Sequence, residues 1–149
     1  MASGSRHRAR VAALQSLYEA DSSSHEPGRA LERIVSEHHV PKDAAAFAQD
    51  LIERVRAQQD ELDRLIAKTA PAWPVEQLSP VDRNILRLAI CEMLGDNGTP
   101  VKAIINEAVE LAKSFGSENS SKFINGVLGS IERQRTENLA GRPASKGGE

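Results

Sequence analysis

"LSPVDRNILRLAICEML", residues 78–94, decides the fold class of this chain. Ser79, Pro80 and Asp82 read as a helix start. A hydroxyl can accept an orphan amide, a proline stands where its missing N–H costs nothing, and a carboxylate sits in the first turn. From there Val81, Ile85, Leu86, Leu88, Ala89, Ile90, Met93 and Leu94 wrap nearly the whole circumference instead of forming one stripe. A helix apolar all round is contacted from several sides, so the remaining segments are expected to enclose it. Cys91 lies inside this run and is expected to be a buried, inert thiol.

Helical spacing recurs on both sides of it. Val11, Leu14, Leu17 and Tyr18 share one face of a helix predicted from about Ser5 to Ala20, ended by the loop "DSSSHEPG". Ala30, Leu31, Ile34 and Val35 line a second helix, 28–39, which stops at His38–His39 ahead of Pro41. A long third helix, Asp43–Lys68, carries Phe47, Leu51, Ile52, Val55, Leu62, Leu65 and Ile66. "TAPAWPVEQ", with two prolines in four residues, is expected to divide the chain into two lobes, about 5–70 and 75–135.

After "GDNGTP", Thr99–Pro100 is expected to cap a helix from about 100 to 115, with Gly116 as its C′ residue. A last helix, 119–135, carries Phe123, Ile124, Val127, Leu128 and Ile131, and residues 136–149 are expected to be a disordered tail. Gly126 and Gly129 interrupt that helix, which suggests close approach by a neighbouring helix, with Asn125 hydrogen-bonded nearby. Replacing Gly126 by Leu should then overpack. No segment alternates like a half-buried strand, so the expected class is all-α.

Composition narrows the function. The chain has 149 residues and aromatics make up only 3%, so its core is aliphatic. No apolar run approaches the roughly 18–20 residues of a spanning helix, and "MASGSRHRARVAAL" lacks a signal peptide's apolar segment. With a single cysteine and hence no internal disulfide, this points to the cytoplasm. Histidines and Cys91 show no zinc spacing, and His38 and His39, adjacent on a helix, cannot converge on one metal. There is no glycine-rich phosphate loop and no nucleophile elbow. Nothing nominates a catalytic residue, a metal or a cofactor, and the chain reads as a binding module.

Two stretches suggest what is bound. "RHRAR" puts Arg6, Arg8 and Arg10 in an acid-free start, with Arg6 and Arg10 on one helix face. Cations at a helix N-terminus oppose the macrodipole by about 0.3–1 kcal/mol each, so helix stability does not explain them. Phosphate binding does; a merely solvated basic start is the alternative. "LAKSFGSENSSKFINGVLG" offers hydroxyls, Asn119, Lys122 and free amides between Phe115 and Phe123, two rings that could stack on unpaired bases or simply fill the core.

"INEAVELAKSFGSENSSKFINGVLGSI" (105–131), with "PVDRNILRLAICEML" and "RHRARVAALQSLYEAD", resembles the NusB transcription antitermination family over the chain to about residue 133. The resemblance implies an all-helical fold of six to seven helices in two three-helix lobes. It implies binding of boxA RNA beside a small-subunit ribosomal protein acting as NusE, with other Nus factors on RNA polymerase. Arg6, Arg8, Arg10 and Gln15 match the first part of the RNA surface. Phe115, Asn119, Ser120, Lys122 and Phe123 match the second, and Tyr18, Glu76 and Asp82 match positions facing the ribosomal protein.

His7 stands where many relatives carry arginine, and Asn119 where an acid is common; the first should weaken RNA binding, though less below about pH 6.5, and the second should favour it. Two other classes stay in view. NusB-like domains precede some ribosomal RNA methyltransferases, but only a short tail follows residue 135. A scaffold or homodimer module would not need salt-sensitive arginines.

Overall fold

The computed structural model describes residues 3–23, 26–95 and 97–140. Its order is α1 (Ser3–Ser23), α2 (Pro27–His38), α3 (Lys42–Thr69), a single 3-10 turn (Val75–Gln77), α4 (Pro80–Leu94), α5 (Val101–Phe115) and α6 (Ser120–Ala140). No strand occurs among the described residues.

α4 is the centre. Its start is as expected: Ser79 Oγ accepts from the Asp82 amide at 3.1 Å, with Pro80 in the first turn. Every residue from Asn84 to Met93 is buried, because α1, α3, α5 and α6 all pack against this helix. Leu14 of α1, Leu62 and Ile66 of α3, Ile104 of α5 and Ile124, Leu128 and Ile131 of α6 belong to the same aliphatic cluster. Burial also pushes the Cys91 thiol up to about 11, which keeps it protonated and inert.

The buried polar side chains Asn84 and Arg87 of α4 have their partners. Asn84 donates to Asp21 and to the Pro80 carbonyl, both at 2.8 Å. Arg87 makes a two-pronged contact with Asp63 at 2.8 and 2.9 Å. These bonds tie α1 and α3 to α4, since a buried polar group is tolerated only with its partners in place.

Several local expectations change. α1 continues past Ala20 to Ser23, whose hydroxyl donates to the Glu19 carbonyl at 2.6 Å. Ser24 and His25 of the expected loop lie outside the described residues. α5 is not capped by Thr99; Pro100 occupies the N-cap position, and the Thr99 hydroxyl faces Arg6 instead. α6 runs five residues beyond 135. Arg135 and Thr136 both bond back to Glu132, so part of the expected tail is helical, while 141–149 lie outside the described residues.

The glycines divide. A Cβ on Gly116 would lie 2.5 Å from Ser120 Oγ and 2.8 Å from the Ala112 carbonyl, so close approach enforces glycine there. Its φ of −95° is ordinary, so the need is steric, not conformational. Gly126 is the opposite case: it is exposed, and a Cβ there would meet nothing within 4 Å. Asn125 is exposed too. No helix among the described residues covers Gly126, and the overpacking expected of Gly126→Leu goes with it.

Candidate nucleic-acid interface

The first turns of α1 lie among α2, α3, α4, α5 and the α4–α5 connection, and the basic side chains divide among them. Arg6 donates to Thr99 Oγ1 at 2.8 Å and lies 4.5 Å from the centroid of the Phe47 ring, a cation–π position. His7 hydrogen-bonds to Glu107 in the middle of α5. Arg8 is exposed and donates to the last carbonyls of α2, His38 at 2.9 Å and His39 at 3.3 Å. Those carbonyls have no helical partner, and a cation there also suits the helix dipole.

Arg10 differs. It is 7% exposed, and its Nε and Nη2 each meet a Glu92 oxygen at 2.8 Å. Burial alone would lower its pKa, but the hydrogen bonds and charge of Glu92 outweigh that and hold it above the ordinary arginine value. Because Arg6 and Arg10 share a face, both turn towards Phe47, and Arg10, one turn deeper, is enclosed. The structure does not present Arg10 to solvent. Gln15, half-buried, lies two turns from Arg8 on the same side of α1 and lines a shallow hollow with Tyr18, Ser22 and Arg33.

The second stretch sits at the other end of α5. Fifteen residues make α5 about 21 Å long between its first and last Cα. Arg6 touches Thr99 just before it, His7 touches Glu107 midway, and Phe115 ends it, about 80° round from Glu107. Phe115 is 39% exposed, and Asn119 and Lys122 are exposed.

Ser120 is not exposed. Its oxygen accepts from the Ser117 amide at 2.9 Å and closes the α5–α6 turn, so it shapes the surface from beneath. Phe123 is half-buried and meets Trp73 edge-on, with centroids 6.3 Å apart at 72°.

In the sequence Trp73 reads only as part of the proline-rich break, yet it is 59% exposed. An aromatic between two prolines in an aromatic-poor chain is the available signal. Glu92, Thr99 and Glu107 escape sequence reasoning because nothing local marks them as partners of residues 6, 7 and 10.

The three remaining candidates surround one ion pair. Arg83 donates to Asp21 at 2.7 Å and to the carbonyls of Glu76 at 3.4 Å and Leu78 at 3.0 Å. Tyr18, 44% exposed, lies one turn before Asp21, and Asp82 is the neighbour of Arg83. Burial alone would raise the Asp21 carboxyl, but hydrogen bonds from Arg83 and Asn84 and the charges of Arg83 and Arg87 hold it below its usual range. Asp82 Oδ1 is buried without a hydrogen-bond partner among the described residues.

Comparison with known proteins decides the family: the model of the NusB family matches residues 7–133. The chain belongs to the NusB family. It is 46% identical over 143 residues to the transcription antitermination protein NusB of Chloroflexus aggregans, covering 95% of this chain and 93% of that one. The NusB of Dehalococcoides mccartyi is 49% identical over 129 residues, covering 87% and 90%.

Among solved NusB structures, that of T. maritima superposes with a TM-score of 0.80 at 36% identity, covering 86% of this chain and 90% of that chain. A crystal structure of the antitermination factors NusB and NusE in complex with double-stranded RNA also matches at 0.80, with 29% identity and coverage of 89% and 99%. The all-α class holds for this NusB-family chain. No helix among the described residues is long and apolar enough to cross a membrane.

Proposed function

We propose that this chain is a transcription antitermination factor that binds boxA-type RNA beside a small-subunit ribosomal protein acting as NusE. In this reading it acts with other Nus factors on RNA polymerase, in the cytoplasm and without catalysis of its own. The observation that carries the reading is the placement of its two candidate stretches along one helix. Arg6 bonds to Thr99 just ahead of α5 and His7 to Glu107 in its first half, and the aromatic and amide-bearing turn closes its end.

At about 3.4 Å per stacked nucleotide, the length of α5 accommodates about six nucleotides. Arg6, His7, Arg8, Lys122 and Asn119 would contact the strand, with Phe115 and Phe123 beside its bases and Gln15 further along α1. Arg10 and Ser120 would serve by holding the surface in shape. Glu107, Glu110 and Glu118 lie among these cations, so the face is mixed in sign and its affinity would depend on shape and stacking as well as charge. Tyr18, Glu76 and Asp82 would face the ribosomal protein, grouped around the Asp21–Arg83 ion pair.

The organisation that goes with this reading is one RNA-binding unit over 1–135, with lobes of about 5–70 and 75–135. Titrating the protein with boxA-containing, scrambled and duplex RNA, with and without the ribosomal protein, tests it. Preference for the boxA strand, sharpened by the partner, is the expected result. Equal affinity for all three RNAs would leave only nonspecific attraction.

A further inference from the structure

We propose that Trp73 is a base-stacking platform that extends the RNA surface past Phe123 onto the α3–α4 connection. This rests on the RNA-binding reading above and adds a contact to it.

Trp73 is the only tryptophan in a chain with five aromatic residues, and 59% of it is exposed. Tryptophan carries the largest apolar surface of any side chain, and leaving it in water wastes that burial unless something covers it. Its mount is rigid. The Trp73 amide donates to the Ala70 carbonyl at 3.0 Å, and Gln77 closes the next turn onto Pro74 at 2.9 Å. Pro71 and Pro74 fix two backbone angles, and buried Val75 anchors the segment. A preorganised aromatic loses little entropy when it is covered.

The ring geometry selects the occupant. Phe123 meets the indole at 72°, so it does not stack parallel on that ring, and 59% of Trp73 remains exposed to a parallel guest. A planar nucleobase fits such a face. Trp73 is also continuous with the candidate surface, because Phe123 follows exposed Lys122 on the first turn of α6, where a backbone phosphate would find a cation. An unpaired base on Trp73 with its phosphate towards Lys122 is the single-strand mode of stacking plus charge.

Because Trp73 is the sole tryptophan, the full-length protein reports on itself. Titration with a single-stranded boxA-type RNA should quench its emission saturably, with the same midpoint as anisotropy of end-labelled RNA. Trp73→Ala should weaken RNA binding by about 5- to 150-fold, the range for losing one stacked base. It should leave the helical circular dichroism and the slope of log affinity against log salt unchanged, since stacking releases no counterions. Trp73→Phe should recover most of the affinity.

RNA that binds with unchanged emission and binds Trp73→Ala as well as wild type would overturn this proposal and leave the RNA reading intact. A Trp73→Ala variant that loses only the ribosomal protein, with RNA affinity unchanged, would overturn it too. If wild-type protein bound no RNA at all, both would fall.

Discussion

Arg10 of α1 and Glu92 of α4, 82 positions apart, face each other through two 2.8 Å hydrogen bonds with almost no exposure on either side. The Glu92 oxygen also accepts from Asn97 at 2.9 Å, and Asn97 in turn bonds to Thr99, the partner of Arg6. The pair therefore fixes both the start of α1 and the connection to α5, the two walls that hold the basic side chains. An arginine in a basic motif has become part of the frame.

Replacing Arg10 with Ala would leave the Glu92 charge buried and unpaired, at a cost of about 3–5 kcal/mol. Urea unfolding of Arg10→Ala against wild type measures it. A loss below about 1 kcal/mol, as for an exposed ion pair, would show that the pair is not buried in solution.

Arg6→Ala combined with Arg8→Ala is the variant that isolates RNA contacts. Both side chains are reachable from solvent, so stability should change by at most about 1–2 kcal/mol. RNA affinity at low salt should fall, and the salt slope should shrink by about one per arginine removed. An unchanged slope would mean that neither arginine meets phosphate.

The glycines of α6 and of the turn before it should respond in opposite directions. Gly126→Ala places a methyl group in open space and should stabilise the fold by about 0.5–1 kcal/mol. Gly116→Ala drives one into Ser120 and the Ala112 carbonyl and should destabilise by about 1–3 kcal/mol. Thermal melts of the two variants decide; equal shifts would contradict the steric account.

Asp21 should make stability acid-sensitive. Its carboxyl titrates below the usual aspartate value in the folded state, so its contribution is complete above about pH 4. That contribution is lost as pH falls through the depressed folded value. Asp21→Asn should thus be less stable than wild type near neutrality, and the gap should close in acid. A gap independent of pH would remove the charge-based explanation.

What the sequence made legible was local or periodic. The all-round apolar run of α4, its Ser79 cap and the helical spacing elsewhere were readable because a helix repeats every 3.6 residues. The partners of Arg10 and Arg6 were not, because Glu92 and Thr99 lie more than 80 positions away and only packing brings them close. Gly126 misled for a related reason: a small residue on a helix is equally consistent with a tight contact and an empty surface. Trp73 was hidden by its prolines, which announced a turn and drew attention from the side chain the turn displays.

The central claim is that both ends of α5 belong to one RNA surface, and amide chemical shifts report on both at once. Adding boxA-type RNA to isotope-labelled protein should perturb residues 6–8 at the start of α1 and residues 115–123 at the α5–α6 turn together, with one midpoint. Perturbation confined to one end, or centred on the groove between α2 and α3, would contradict it.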